Sequence, residues 1–335
     1  MHFRKVIFMI GCCIFLLAAC GKASQEDVVQ KIGEKWGDTK GYELTASMEI
    51  KTGKEPRAYD VKVWHTKPDF YKVEVTAENE DITQMIVRNE EGVFVVTPAL
   101  SKTYKFQSDW PKQNSQAYLI GALAEDIQAD KGLQMENVED AYVFTAAMRN
   151  TDKTGMTTQL VTVDKKSMLP KSVAILNDAG EEQITIKFND VKLGVTHKAE
   201  EYAVEKFQEN KEKEAASADI KNSEAFQTHY PILQWDHTKL VDSQTIREDG
   251  VERVILTFEG EKAFTLMQQP AMTMASTVPV FAPGDPADLG FAIGAVTDNS
   301  ISWERDGISF FIASSKMTRE ELIEVAASVT SGGMK

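Results

Sequence analysis

A strict alternation of apolar and polar residues constrains the fold of this chain more than any other feature. From residue 42 the apolar side chains recur at every second position, as Tyr42, Leu44, Ala46, Met48 and Ile50. A period of two places alternate residues on opposite faces of a strand, so a half-buried antiparallel strand is predicted there. Similar runs predict further strands at 59–65, 70–76, 82–88, 93–97, 142–148, 157–163, 172–177 and 183–193.

Two helical segments accompany these strands. Ser24 and Asp27 have the spacing of a capping box, and the residues that follow on one helical face are Val28, Val29, Ile32 and Trp36. A second helix is predicted over residues 115–127. Many strands with two helices indicate a mainly β, α+β fold, in which the helices cover the concave face of a curved sheet.

The amino terminus has the pattern of a secretory signal. Basic residues precede an apolar run over residues 6–17, and the run ends in Leu17-Ala18-Ala19-Cys20. The apolar run is shorter than the roughly 20 residues of a membrane-spanning helix, which is the alternative interpretation. A cysteine after small residues is typical of the bacterial lipobox. We therefore expect a signal peptide at 1–19 and a diacylglycerol anchor on Cys20, which would hold the protein on the extracytoplasmic face of a membrane.

A charged segment at 205–223 divides the chain. It is rich in Glu, Lys and Ala, and it is interpreted as a linker or an exposed helix between a first domain at 20–204 and a smaller α+β domain at 224–335. The second domain has predicted strands at 240–246, 251–258, 262–268, 291–296, 300–305 and 308–313. A long loop is predicted at 269–288. A final helix is predicted from Thr318 to Gly332-Gly333, with Leu322, Val325, Ala326 and Val329 on its buried face.

Charge and cysteine content exclude several classes of function. The chain has 51 acidic and 37 basic side chains and a net charge of −14, so nucleic acid is not expected as a partner. Cys12 and Cys13 lie within the signal peptide, which leaves Cys20 as the single cysteine of the mature chain. A disulfide framework and a thiolate metal site are therefore excluded for the mature protein.

The sequence contains none of the common catalytic motifs. The histidines lack metal-ligand spacing, and the sequence has neither a phosphate-binding glycine loop nor a Gly-x-Ser-x-Gly elbow. The acidic run that includes Glu78, Glu80 and Asp81 falls in a predicted turn, where solvated charge is the ordinary interpretation. We expect a protein that is not an enzyme and that uses no metal and no cofactor.

Two runs resemble the LolA family of outer-membrane lipoprotein carriers. They are WHTKPDFYKVE at 64–74 and IVRNEEGVFVVTPAL at 86–100. The resemblance implies an unclosed antiparallel β-barrel with a helical lid, whose hydrophobic concavity receives acyl chains. It also implies a role in cargo release for a basic residue before the turn proline, a position that Lys67 occupies here.

Other stretches resemble lipidated, two-domain relatives from spore-forming Gram-positive bacteria, a group linked to sporulation and germination. These stretches are YKFQSDWP at 104–111 and EYAVEKF at 201–207. The run WERDGISF at 303–310 resembles a module of Gram-positive envelope proteins.

Three aromatic residues and Lys67 are the candidate contacts for a ligand or partner: Trp64, Phe70 and Trp110. Strand aromatics usually pack in the core, and this alternative is favoured for Phe70 and Phe94. For Trp110, which precedes Pro111 in a predicted loop, a surface role and packing are equally open.

Together these features predict a non-enzymatic, membrane-anchored envelope lipoprotein of sporulation or germination that binds a partner protein or a lipid. A cell-wall-modifying enzyme is the expected class of partner, because of the family link. The alternative is a carrier or acceptor that binds the acyl chains of lipoproteins in its half-barrel.

Overall fold

A computed structural model describes residues 23–51, 56–78, 83–107, 110, 117–148, 156–209, 227–232, 237–248, 250–272, 279–289, 292–305 and 307–331. Cys20 and the predicted signal peptide lie outside these residues. Within them no helix has the length and apolar character needed to cross a membrane.

A large, unclosed sheet dominates the first part of the chain. Its strands are β1 (Gly41–Ile50), β2 (Arg57–Thr66), β3 (Phe70–Ala77), β4 (Thr83–Asn89), β5 (Gly92–Thr97), β6 (Lys102–Phe106), β7 (Gln134–Asn137), β8 (Ala141–Ala147), β9 (Met156–Asp164), β10 (Pro170–Asn177) and β11 (Glu182–Leu193). They lie in the order β6-β5-β4-β3-β2-β1-β11-β10-β9-β8-β7, and each adjacent pair is antiparallel. The predicted mainly β, unclosed architecture is confirmed.

The alternation that predicted β1 corresponds to its two faces. The apolar residues of β1, from Tyr42 to Ile50, are all buried, while the residues between them are mainly exposed. Tyr42 pairs with His65 on one side and with Leu193 on the other, so β1 links the two halves of the sheet.

The amino-terminal helix forms as predicted. Helix α1 spans Gln25–Ile32, and the Ser24 hydroxyl accepts a hydrogen bond from the Asp27 N–H at 3.1 Å. A π-helical turn at Gly33–Gly37 continues the helix and carries Trp36 into the core. There the Trp36 indole N–H donates to the Met168 carbonyl at 2.8 Å, which ties the helix to the β9–β10 turn.

The second helix begins later than predicted. Helix α2 spans Ile120–Ala129, whereas residues 115–127 were expected. Leu119 is extended and no side chain caps the helix start, so the local sequence has no clear start signal. Residues 115–116 lie outside the described residues. Both helices contribute buried side chains to the core of the large sheet.

A second sheet occupies the carboxy-terminal part. Its strands are β13 (Thr238–Glu248), β14 (Val251–Gly260), β15 (Phe264–Pro270), β17 (Asp285–Asp288), β18 (Ile293–Val296), β19 (Ser300–Arg305) and β20 (Ile308–Ala313), in the order β13-β14-β15-β20-β19-β18-β17. A separate pair, β12 (His229–Pro231) with β21 (Val329–Ser331), joins the ends of this region. The predicted strands at 300–305 and 308–313 are confirmed.

The last helix of the chain is shorter than predicted. It follows the short helix α3 (Glu205–Glu209) in chain order and is therefore labelled α4. Helix α4 spans Arg319–Ala327, and Thr318 and Glu321 form the expected capping box. Val329, predicted on the buried face of this helix, lies instead in β21, because the backbone after Ser328 pairs with β12. The predicted stop at 332–333 lies outside the described residues.

Two connecting segments are more ordered than predicted. The loop expected at 269–288 contains the end of β15, the strand β17 and a two-residue strand, β16 (Val280–Phe281), which pairs with β6 of the first sheet. The segment expected at 205–223 as a linker or exposed helix begins with α3, whose Phe207 is buried. Residues 210–226 lie outside the described residues, and the domain boundaries remain a prediction.

Candidate binding surface

The hairpin of β2 and β3 presents its aromatic residues on both faces of the first sheet. Trp64 pairs with Lys72 and Thr66 pairs with Phe70, and these residues lie on the outer face. The intervening pair, His65 with Tyr71, lies on the inner face, towards the helices. Because successive residues of a strand point to opposite sides, the aromatic run 64–71 forms two separate clusters.

A covering segment, residues 195–207, lies over the outer face. Tyr202 and Phe207 from this segment pack in an apolar cluster with the sheet residues Met85, Val87, Phe94 and Val96. Trp64 and Phe70 are half buried at the border of this cluster. The outer face of the sheet therefore has its own small core.

Hydrogen bonds fix the covering segment on the sheet. Thr66 Oγ1 lies 2.9 Å from the Tyr202 hydroxyl and accepts from the His197 backbone N–H at 3.0 Å. The Asn89 side-chain amide donates to the Tyr202 carbonyl at 3.1 Å. Burial raises the pKa of Tyr202 to about 12, so its hydroxyl remains protonated at neutral pH.

The Trp64 ring is held between two ionisable side chains. The His197 ring stacks on it at a centroid distance of 4.1 Å, and Lys72 Nζ lies 4.3 Å from its centroid. Because the His197 ring occupies one face of the Trp64 indole, the ammonium group of Lys72 lies over the opposite face. Lys72 Nζ also lies 4.5 Å from the Phe207 ring and 2.5 Å from Glu74 Oε1. Trp64 therefore keeps only part of its surface available to a partner.

Acidic side chains surround His197. Its Nε2 lies 2.9 Å from Glu43 Oε1, and its Nδ1 lies 3.6 Å from Glu201 Oε1. The Lys198 backbone N–H donates to Glu201 at 2.9 Å, and this hydrogen bond lowers the pKa of that carboxyl. The carboxylates thus give this border of the outer face a negative character.

The inner face has an aromatic row of its own. The ring of Tyr42 lies 5.0 Å from that of His65, which stacks on Tyr71 at 4.2 Å; Tyr71 in turn meets the edge of Trp110 at 5.6 Å. Burial lowers the pKa of His65 and raises that of Tyr71, so both side chains are favoured in their neutral forms. The Tyr42 hydroxyl is also buried, which raises its pKa well above the ordinary value, and the backbone of Gly121 in α2 faces it.

Large side chains occupy the inner face under the helices. The residues that are almost completely inaccessible there include Ile32, Trp36, Tyr42, Trp110, Leu119, Ile120, Leu123, Ile127 and Phe144. They come from both helices, the sheet and the loop at residue 110. Side chains of the protein itself therefore fill the part of the inner face that lies under the helices.

The structure does not bring the four candidate contacts together. Trp64 and Phe70 lie on the outer face, and Lys67 is exposed at the adjacent turn. Trp110 is only 1% exposed and packs in the inner core, where Arg88 donates to its carbonyl. Its loop position gave no indication of this burial. The roles of all four as contacts remain predictions.

Two residues that organise the outer surface, His197 and Tyr202, have little signal in the sequence. The sequence around His197 shows only that this histidine lacks metal-ligand spacing. Tyr202 belongs to the quoted stretch at 201–207, but its contact with Thr66 depends on the folded sheet. In the part of the chain that the structure describes, no group of three His, Cys, Asp or Glu side chains forms a metal site.

Comparison with known proteins identifies the family. The architecture is that of an unclosed, helix-covered β-sheet protein with a second, smaller sheet. The family model described as "Sporulation protein YdcC-like" matches residues 2–202, and the chain belongs to this family. Sporulation protein YdcC of Bacillus subtilis (strain 168) is 34% identical over 320 residues, covering 94% of this chain and 93% of the relative. The predicted link to sporulation proteins is confirmed.

Several solved structures align with low sequence identity. MucB in complex with MucA(peri) aligns over 93% of this chain and all of the other, with 11% identity and a TM-score of 0.33. A LolA superfamily protein from Nitrosomonas europaea aligns over 54% of this chain and 98% of its own, with 11% identity and a TM-score of 0.32. A chain from the complex of the CwlD amidase of Clostridioides difficile with the GerS lipoprotein aligns over 53% of this chain and 98% of its own, with 15% identity and a TM-score of 0.24.

Proposed function

We propose that this protein is a lipid-anchored envelope protein that acts in sporulation by binding a partner protein and has no catalytic role of its own. Membership of the sporulation family supports the process. The lipobox ending in Cys20 supports export and anchoring on the extracytoplasmic face of the membrane. Two fatty chains on one residue would be sufficient for stable attachment.

The observation that carries the binding role is the different packing of the two faces of the first sheet. Side chains of the protein itself occupy the inner face, whereas the outer face keeps two half-buried aromatic rings, Trp64 and Phe70, beside the exposed Lys67. Aromatic rings at a surface are enriched in protein interfaces. A protein partner at this outer surface is therefore favoured over an acyl chain at the inner face.

A cell-wall-modifying enzyme is the partner class that we propose. The family acts in sporulation, and a tethered protein outside the cytoplasm is placed where wall polymers are remodelled. In this role the protein would position or stabilise the enzyme, while the enzyme supplies the chemistry.

Site-specific photo-crosslinking tests the surface. A photoreactive phenylalanine analogue at Phe70 should capture one defined protein in sporulating cells, and the same analogue at Ile246, which is exposed on the second sheet, should not capture that protein. Equal capture at both positions, or capture of no defined protein at Phe70, would contradict the proposed surface.

An acceptor for acylated ligands is the second candidate. The buried Tyr42 hydroxyl lies among the aromatic rings of the inner face and could donate its O–H to a ligand carbonyl there. Such a ligand would have to displace side chains that now fill that face. Native mass spectrometry of the protein from Gly21 onward decides this point, since a bound lipid would favour the acceptor and its absence would favour the protein partner.

A further inference from the structure

The edge of the first sheet is covered by a segment from the carboxy-terminal part of the chain. The strand β16 runs parallel to β6, with Val280 opposite Tyr104 and Phe281 opposite Lys105. The Ala282 N–H continues the pairing by donating to the Lys105 carbonyl at 3.1 Å. Without this segment the backbone of β6 would be an unpaired edge, which is a template for association with other chains.

A buried ion pair lies beside this edge. Lys102 on β6 contacts Glu304 on β19 of the second sheet, and the side chains of both residues are largely inaccessible to solvent. The Ser309 hydroxyl donates to the same carboxylate oxygen, Oε1, at 2.9 Å. Removing one partner of a buried pair leaves an uncompensated charge, so this contact resists separation of the two sheets.

Further contacts join the two sheets beside the Lys102–Glu304 pair, and together they form a junction between the sheets. The Gln84 side-chain oxygen on β4 accepts a hydrogen bond from the Ile293 N–H on β18 at 2.7 Å. Burial, and to a lesser extent the nearby Glu304 carboxylate, raises the pKa of Tyr104 to about 12. The junction therefore connects β4 and β6 of the first sheet with three strands from the second part of the chain.

We infer that β16 and the Lys102–Glu304 pair form a clamp that holds the two sheets as one rigid unit. The ordinary alternative is an incidental surface contact, since exposed ion pairs contribute little to stability. Two observations oppose that alternative: Lys102 is 5% exposed, and a backbone pairing accompanies the ion pair. The clamp is independent of the proposed binding role.

A distance measurement between spin labels tests the clamp. The protein from Gly21 onward has no cysteine, so Lys62→Cys and Glu248→Cys place one label on an exposed position of each sheet. Double electron–electron resonance should give one narrow distance distribution for this protein. Lys102→Met and, separately, Ala282→Pro should broaden it, because each removes one part of the clamp.

Matched variants show whether a broadened distance distribution comes from loss of the clamp or from a general loss of stability. Lys192→Met removes the cation of an exposed ion pair with Asp190 and should leave the distribution narrow. The charge exchange Lys102→Glu with Glu304→Lys should restore a narrow distribution. If Lys102→Met does not fold, Glu304→Gln serves in its place, since it keeps the side-chain shape and removes the charge. A distribution that stays narrow in Ala282→Pro and in the ion-pair variant would overturn the inference.

Discussion

The indole ring of Trp64 stacks on the imidazole ring of His197, with the two planes inclined by only 10°. This contact joins β2 to the covering segment, residues 195–207, which lies far away in the sequence. It therefore couples the candidate binding surface to the segment that closes the outer face of the first sheet.

Loss of this ring contact should loosen the covering segment. His197→Ala removes the stacked ring and its contact with Glu43, and we expect the free energy of unfolding to fall by about 1–2 kcal/mol. Urea denaturation followed by tryptophan fluorescence measures the change. The control is His237→Asn at an exposed position of positive φ, which asparagine tolerates. An equal loss in both variants would contradict the role of the stack.

Substitution by alanine should change the free energy of unfolding in opposite directions at two glycines, Gly41 and Gly121. A Cβ at Gly41 would lie 2.3 Å from the Val195 carbonyl oxygen and 2.5 Å from that of His65, so the backbone would have to move. Gly41→Ala should lower the free energy of unfolding by about 3 kcal/mol or more. At Gly121 in α2 a Cβ meets nothing within 4 Å. Gly121→Ala should therefore raise the free energy of unfolding by about 0.5–1 kcal/mol, because alanine has the higher helix propensity. Thermal unfolding of both variants checks the opposite signs.

The hydrogen bond from Trp36 to Met168 should contribute measurably to stability. Trp36→Phe keeps an aromatic ring but removes the N–H donor, and we expect a loss of about 2 kcal/mol. Trp303→Phe is the matched control, because the Trp303 N–H has no hydrogen-bond partner among the described residues and its ring packs on Phe310. Chemical denaturation should show the larger loss for Trp36→Phe. A loss as large in the control would show that packing alone explains the effect.

Stability should depend on pH through Glu324 in α4. Burial, together with Glu321 and Glu320, raises the pKa of Glu324 to about 7. The folded state therefore binds this proton more tightly than the unfolded state, so the stabilisation is present below about pH 4.5 and is lost as the pH rises through about 7. Glu324→Gln should raise the free energy of unfolding by about 1 kcal/mol at pH 8, after allowance for solvent screening.

The gain from Glu324→Gln should be smaller at pH 5 than at pH 8. Thermal melts at the two pH values measure it. Glu248→Gln, at an exposed position of β13, is the control and should change little at either pH. A gain that is equal at both pH values would refute the assignment to Glu324.

The proposed lipid anchor should decide where the protein fractionates. Cys20→Ser removes the sulfur to which the diacylglyceryl group would attach, so the protein should move from the membrane fraction to the soluble fraction. Immunoblotting of fractions from sporulating cells measures this change. Lys22→Ser, two positions away, should leave the protein with the membranes. Retention of the Cys20→Ser protein in the membrane fraction would contradict a lipid anchor.

Local sequence patterns were sufficient to predict an element wherever the residues of that element alone carry its signal. The alternation in β1, the Ser24 cap of α1 and the capping box of α4 all predicted elements that the structure contains. These signals depend on near neighbours in the chain. Short or polar strands such as β7 and β16 have no such signal, because they form only where another strand supplies hydrogen bonds.

The sequence alone predicted the strand-rich fold and the link to a sporulation family, because both signals lie in contiguous residues, and the lipobox at Cys20 remains a prediction of the same kind. The tertiary structure alone decided that Trp64 and Trp110 lie on opposite faces of the sheet, that His197 completes the outer surface, and that β16 covers the edge of β6. These outcomes depend on pairing and burial between residues distant in the chain, and no local pattern encodes such contacts.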